Sequence, residues 1–67
     1  MRHNLIDFRN KLGLTQHQMG SLFGVSKEHW CNIEHGRLTG KAEVWIELGL
    51  RFNLSLKELK KLMEVKK

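Results

Sequence analysis

The stretch from Gln16 to His35 (QHQMGSLFGVSKEHWCNIEH) leaves a chain of this size few ways to fold. Met19 and Phe23 fall four apart, and Trp30 and Ile33 three apart, so each pair lies on one face of a short helix. Gly24 stands between the pairs, where the first helix must end and the backbone must turn; glycine reaches the left-handed region at little steric cost. Gly20, four residues earlier, keeps the inner face of that helix thin enough for a close crossing. Val25 can point into the same core, and Ser26 is an N-cap for a helix beginning at Lys27. A small residue, a glycine turn, a cap and apolar anchors in this order describe a helix-turn-helix over about residues 16–35.

The flanking segments read as three more helices. Asn4 caps the first, with Asp7 completing an N-x-x-D capping box, and Leu5, Phe8 and Leu12 form its buried stripe, with Arg9 at the edge. Gly13 ends it, Leu14 leads in as a hydrophobic staple, and Thr15 opens the second helix with Gln18 in a T-x-x-Q box. The third helix stops at Gly36, and Arg37 to Gly40 is a loop. Residues 41–52 form a fourth helix with Val44, Trp45, Leu48 and Phe52 inward; Gly49 weakens its middle. Asn53-Leu54 turns the chain into a fifth helix capped by Ser55 and Glu58. Its stripe is Leu56, Leu59, Leu62 and Met63, its solvated face Lys57, Lys60 and Lys61, and the tail EVKK frays. The chain has no proline and few β-branched residues, which favours helices. The expectation is one all-α domain over residues 1–67.

The net charge is +5, from 12 Lys plus Arg against 7 Asp plus Glu, which attracts polyanions. All four histidines (His3, His17, His29, His35) lie in the first half, so that half becomes more positive as pH falls; with the helix-turn-helix read as a DNA-binding unit, DNA affinity should rise with it. A lone cysteine, Cys31, excludes an intrachain disulfide framework and fits a reducing cytoplasm. No apolar run approaches the ~18 residues of a membrane span. Catalysis is not expected: Cys31 with His29 or His35 is the one nucleophile–base pairing in sight, and no third group orients it. Neither a metal nor another cofactor is expected, because the histidines and the cysteine show no ligand spacing.

Residues 5 to 59 resemble the Cro/repressor-type helix-turn-helix family of phage and bacterial transcriptional regulators. The segments that carry the resemblance are LGLTQHQMG (Leu12 to Gly20), FGVS (Phe23 to Ser26), NIEHGR (Asn32 to Arg37) and FNLSLKEL (Phe52 to Leu59). The resemblance implies a compact five-helix, lambda-repressor-like DNA-binding domain with helices 2 and 3 as the helix-turn-helix. The helix from Lys27 would lie in the major groove, with Lys27, Glu28, Asn32 and the nearby His29 at base edges. Lysine donates to guanine, asparagine pairs with adenine, and glutamate either accepts from cytosine N4 or disfavours wrong sequences. Gln16, beside His17, matches a phosphate-binding glutamine at a helix start, where the helix dipole favours an anion. His35, Gly36, Arg37 and Lys41 match positions that grip the DNA backbone. Arg9 and Glu34 match a salt bridge between the first and third helices. Three positions depart from the family pattern: Gly20 replaces a usual alanine, Gly40 stands where proline is common, and Gly49 interrupts the fourth helix.

One recognition helix spans too few base pairs to select a site, so a homodimer on a palindromic operator is expected. Ile46 with Leu50, or the leucines of the fifth helix, are the candidate contacts. No small-molecule effector and no membrane partner is expected. The reading is a small repressor of the Cro kind. The alternative is a protein-interaction module, such as an antitoxin or adaptor, on the same fold.

Overall fold

Three segments repeat one local device, and it sets where the helices begin. An apolar residue precedes a Thr or Ser cap, and a second apolar residue follows on the first turn of the helix. Leu14, Thr15 and Met19 do this at α2 (Gln16–Leu22), Val25, Ser26 and Trp30 at α3 (Lys27–Glu34), and Leu54, Ser55 and Leu59 at α5 (Leu56–Met63). In each, the cap oxygen accepts a backbone N–H three residues on, and the flanking apolar pair packs on the core as a staple. Gln18 and Glu58 return the bond to the cap's own N–H, completing the boxes expected at Thr15 and Ser55.

The other helices are α1 (His3–Leu12) and α4 (Ala42–Arg51). The structure, a computed structural model, describes residues 1–65. Lys66 and Lys67, half of the tail expected to fray, lie outside them, while Glu64 and Val65 are non-helical. Among the described residues every regular element is helical, and no helix is long and apolar enough to cross a membrane. α2 packs on α3, α1 on α5 and α3, and α5 on α4. The core between them holds Leu5, Met19, Trp30, Ile33, Val44, Trp45, Leu48 and Leu62. Full burial of each large apolar side chain here contributes about 1.5–3 kcal/mol.

Four expectations need correction. Asn4 does not cap α1: the helix begins earlier, because the Arg2 N–H donates to Glu34 O (2.7 Å) and Arg2 O accepts from Ile6 N (3.1 Å). Asn4 instead donates to Lys61 O, tying α1 to the end of α5. Leu12 is 40% exposed. Gly13, at φ 73°, reverses the chain and brings Leu14 against the core instead. Leu56, the first residue of α5, is 72% exposed, and the staple residue Leu54, two positions earlier, packs on the core instead. Gly49 is no mere weak point: it is buried where α5 crosses α4, and a Cβ there would lie 2.8 Å from Leu59 Cδ1.

Gly20 and Gly49 are crowded by different kinds of atom, and substitution should separate them. A Cβ at Gly20 meets backbone, Val25 O at 2.8 Å and Ser26 O at 3.2 Å, so the turn itself must move. Leu59 can change rotamer, and alanine at Gly49 gains helix propensity of up to about 1 kcal/mol. Gly49→Ala is therefore expected to be neutral or stabilising, and Gly20→Val to destabilise by about 1–3 kcal/mol. Urea midpoints in the reverse order would show that the turn is not seated on α2.

The two boxes should also part company in acid. The Ser55 backbone N–H, then its hydroxyl and the Lys61 charge, hold the Glu58 carboxyl below its ordinary value. A carboxylate so held stabilises the fold above the ordinary value of 4.5 and loses that contribution as pH falls through its lowered one. Gln18 carries no charge. Amide protection at the start of α5 should therefore fall on acidification while that of α2 holds, and Glu58→Gln should abolish the difference. Equal loss at both helices in a proton-exchange titration would point to global unfolding instead.

Candidate nucleic-acid interface

α3 has one face sealed and one face open. Trp30, Ile33 and Glu34 are buried, Lys27 and Glu28 are exposed, and Cys31 and Asn32 are half-buried. The sealed face is fixed by Glu34, only 1% exposed, whose carboxylate is enclosed by donors. Arg9 donates Nε to Oε2 at 2.6 Å and Nη2 to Oε1 at 3.4 Å. Trp30 Nε1 donates to Oε2 at 2.7 Å, and Gln16 Nε2 to Oε1 at 2.9 Å. The expected Arg9–Glu34 bridge is thus present, and it is the centre of a network that fastens α1, α2 and α3 together. Phe23 stacks on Trp30 at 5.8 Å on the same side, so this indole is packing.

The turn before α3 follows from its residues. Gly24 takes φ 69°, and the Val25 N–H donates to Gly20 O at 2.9 Å, so the chain folds back over α2 before Ser26 starts the next helix. α3 then stands with its polar side outward. Glu28 sits in its first turn, where a carboxylate is also favoured by the helix dipole.

A shallow groove of about 410 Å³ runs along that side, lined by Gln16, Lys27, Glu28, Cys31, Asn32 and Arg37. It brings together candidates from the start of α2, from α3 and from the loop after it. Gln16 lines the groove while its Nε2 donates inward to Glu34 Oε1. Arg37 leans back on α3, Nη1 donating to Asn32 Oδ1 at 3.4 Å. The Arg37 and Leu38 amides both donate to Asn32 O, at 3.0 and 3.3 Å, so the loop is tied to the helix whatever the Asn32 side chain does.

The remaining candidates lie apart from this groove. His29 and Lys41 line a second hollow with Val25, Glu43 and Glu47, between the turn and α4. His17 is exposed on α2, and His35 is half-buried as the C-cap of α3. Gly36 is half-buried, with Val65 seated so closely that a Cβ would come within 2.9 Å of Val65 Cγ1. Two residues join the region without having been assigned to it. Cys31 lies in the groove, as a rotation of about 100° per residue would place it, between Lys27 and Glu28. Arg2 carries no sequence signal, since it precedes the first helix. It is 4% exposed, and its guanidinium, pushed below its usual range by burial, donates to carbonyls at the ends of α3 and α5.

The groove offers hydrogen-bond donors on Gln16, Lys27, Asn32 and Arg37, acceptors on Glu28 and Asn32, and two cationic side chains against one anionic. The chain matches no family model, no curated protein and no solved structure.

Proposed function

We propose that the chain binds double-stranded DNA in a sequence-specific way as a small transcriptional regulator, with α2, the turn and α3 acting as a helix-turn-helix. The observation that carries this reading is the groove, where three separate segments converge their polar side chains beside a helix sealed on its other face. Lys27 and Asn32 read bases, Glu28 either accepts from cytosine or rejects wrong sequences, and Arg37 and Gln16 hold phosphates. Lys41, from the adjoining hollow, adds charge toward the backbone. Net charge and the resemblance to Cro/repressor-type regulators favour the same reading.

The globule measures 27 × 26 × 23 Å, less than the ~34 Å between half-sites one DNA turn apart, so reading two half-sites takes two copies. Ile46 (58% exposed) and Leu50 (74% exposed) are four residues apart on α4 and form the apolar contact we assign to that dimer. Ile46→Glu should lower the sedimenting mass on DNA from two copies to one without changing the melting temperature. A wild-type protein that is monomeric free and on DNA removes the dimer from this reading.

Selection from a random duplex pool is the direct test. Enrichment of a palindrome with half-sites about 10 base pairs apart is expected. A pool that shows no enrichment in low salt overturns the proposal and leaves the adaptor reading, in which the exposed apolar side of α4 meets another protein.

A further inference from the structure

The loop after α3 is held in shape by a residue at the far end of the chain. Arg2 donates Nη1 to Ile33 O (2.5 Å) and Leu38 O (2.8 Å), and Nε to Met63 O (3.0 Å). Its guanidinium lies 5.6 Å from the centroid of the Trp45 ring, and Trp45 Nε1 in turn donates to Thr39 O at 2.8 Å. Gly40 rests against Ile33 and Trp45, where a Cβ would come within 3.1 Å of Ile33 Cδ1. Two successive loop carbonyls, Leu38 and Thr39, therefore point inward to fixed donors. The side chains of Arg37 and Lys41 are exposed. A buried cation is stabilised here because Ile33 and Met63 belong to the last turns of α3 and α5, where the dipoles are negative and a carbonyl such as Ile33 O, which takes the Gly36 N–H at 3.1 Å, has a second lone pair to offer.

We infer that Arg2 is a positioning residue for DNA binding: buried away from the duplex, it pre-forms the 37–41 loop so that Arg37 and Lys41 meet phosphates without paying to order it. The inference rests on the DNA-binding reading above. Two variants test it, Arg2→Met and Arg2→Lys, the second keeping the charge but losing the planar fork whose Nη1 meets Ile33 O and Leu38 O while its Nε holds Met63 O. In the free protein, amide exchange at Arg37 and Leu38 should accelerate about tenfold or more relative to the Val25 amide in the turn. With a selected duplex, affinity should fall about tenfold, and the slope of log K against log salt should shrink by about 0.9 for each phosphate that Arg37 or Lys41 no longer neutralises. Preference among sequences should not change. Should Arg2→Met fail to fold, Arg2→Lys carries the test by the same readouts in the same direction. Wild-type affinity and slope in a folded variant overturn the inference and leave DNA binding standing. So does acceleration of Arg37, Leu38 and Val25 alike, which is a loss of global stability. A wild-type protein that binds no duplex removes both readings together.

Discussion

Replacing Glu34 by alanine is expected to unfold the protein at room temperature. The carboxylate receives bonds from Arg9, Gln16 and Trp30 while almost wholly out of water, so its removal leaves Trp30 Nε1 and Gln16 Nε2 without their acceptor and Arg9 with Leu14 O alone. Breaking a buried ion pair from one side costs roughly 3–5 kcal/mol. A buried indole N–H left without an acceptor adds about 1–3 kcal/mol. A core of this size supplies only about 3–5 kcal/mol in total, so the loss equals or exceeds what there is to lose. Glu34→Gln keeps a carbonyl for one donor and should retain the fold with a melting temperature lowered by about 10 °C or more. Circular dichroism on heating reads both. An alanine variant that melts within a few degrees of wild type would show that the network is ornament, and that α1, α2 and α3 hold their angle through apolar packing alone.

That network also shows where the sequence was legible. Caps were readable because their chemistry is local: Thr15, Ser26 and Ser55 bond a backbone N–H three residues away, and no distant contact competes. Gly20 and Gly24 were readable for a related reason, since the turn they permit lies within a few residues of both. The Arg9–Glu34 bridge came from a family resemblance, and nothing in the local pattern announces that Trp30 and Gln16 share the same carboxylate. Periodicity placed Leu12 and Leu56 inward, but it counts only residues inside a helix. The core was completed by Leu14 and Leu54, which stand just outside one, at the staple position. Arg2 lay beyond any local rule, because its carbonyl partners are 31, 36 and 61 residues away.

The candidate site divides along the same line. Lys27, Glu28 and Asn32 share an open face because a helix sealed by Trp30, Ile33 and Glu34 leaves them no other. The convergence of Gln16 and Arg37 on that face is tertiary, and it is the part the resemblance implied and residue spacing could not. Proximity in sequence alone groups His29 with the base-reading set. Its angle on the helix turns it toward Ile33's side and α4, where Glu43 and Glu47 are its neighbours in the hollow. Its contribution to DNA binding is accordingly expected to be smaller than that of Lys27.

Alanine at both Lys27 and Asn32 is expected to lower affinity for a selected duplex by on the order of 10²–10³-fold, while weak binding to unrelated duplex changes by only a few-fold. Each good contact to a base edge carries about 1–3 kcal/mol of discrimination, whereas phosphate contacts act on all sequences alike. The fold should survive. Lys27 is exposed, and it is the Asn32 backbone carbonyl that anchors the Arg37 and Leu38 amides, an acceptor alanine keeps. Arg37→Ala supplies the contrast: it should weaken every duplex similarly and reduce the salt slope by about one. The long Arg37–Asn32 contact of 3.4 Å makes a further distinction measurable. If Arg37 orients the Asn32 amide toward an adenine, the losses in Arg37→Ala and Asn32→Ala will not add, and the shortfall in Arg37→Ala/Asn32→Ala reports that coupling. Fluorescence anisotropy in low salt is sufficient for wild type and these four variants. Unchanged affinity in the Lys27→Ala/Asn32→Ala variant means that the open face of α3 is not where the duplex lies.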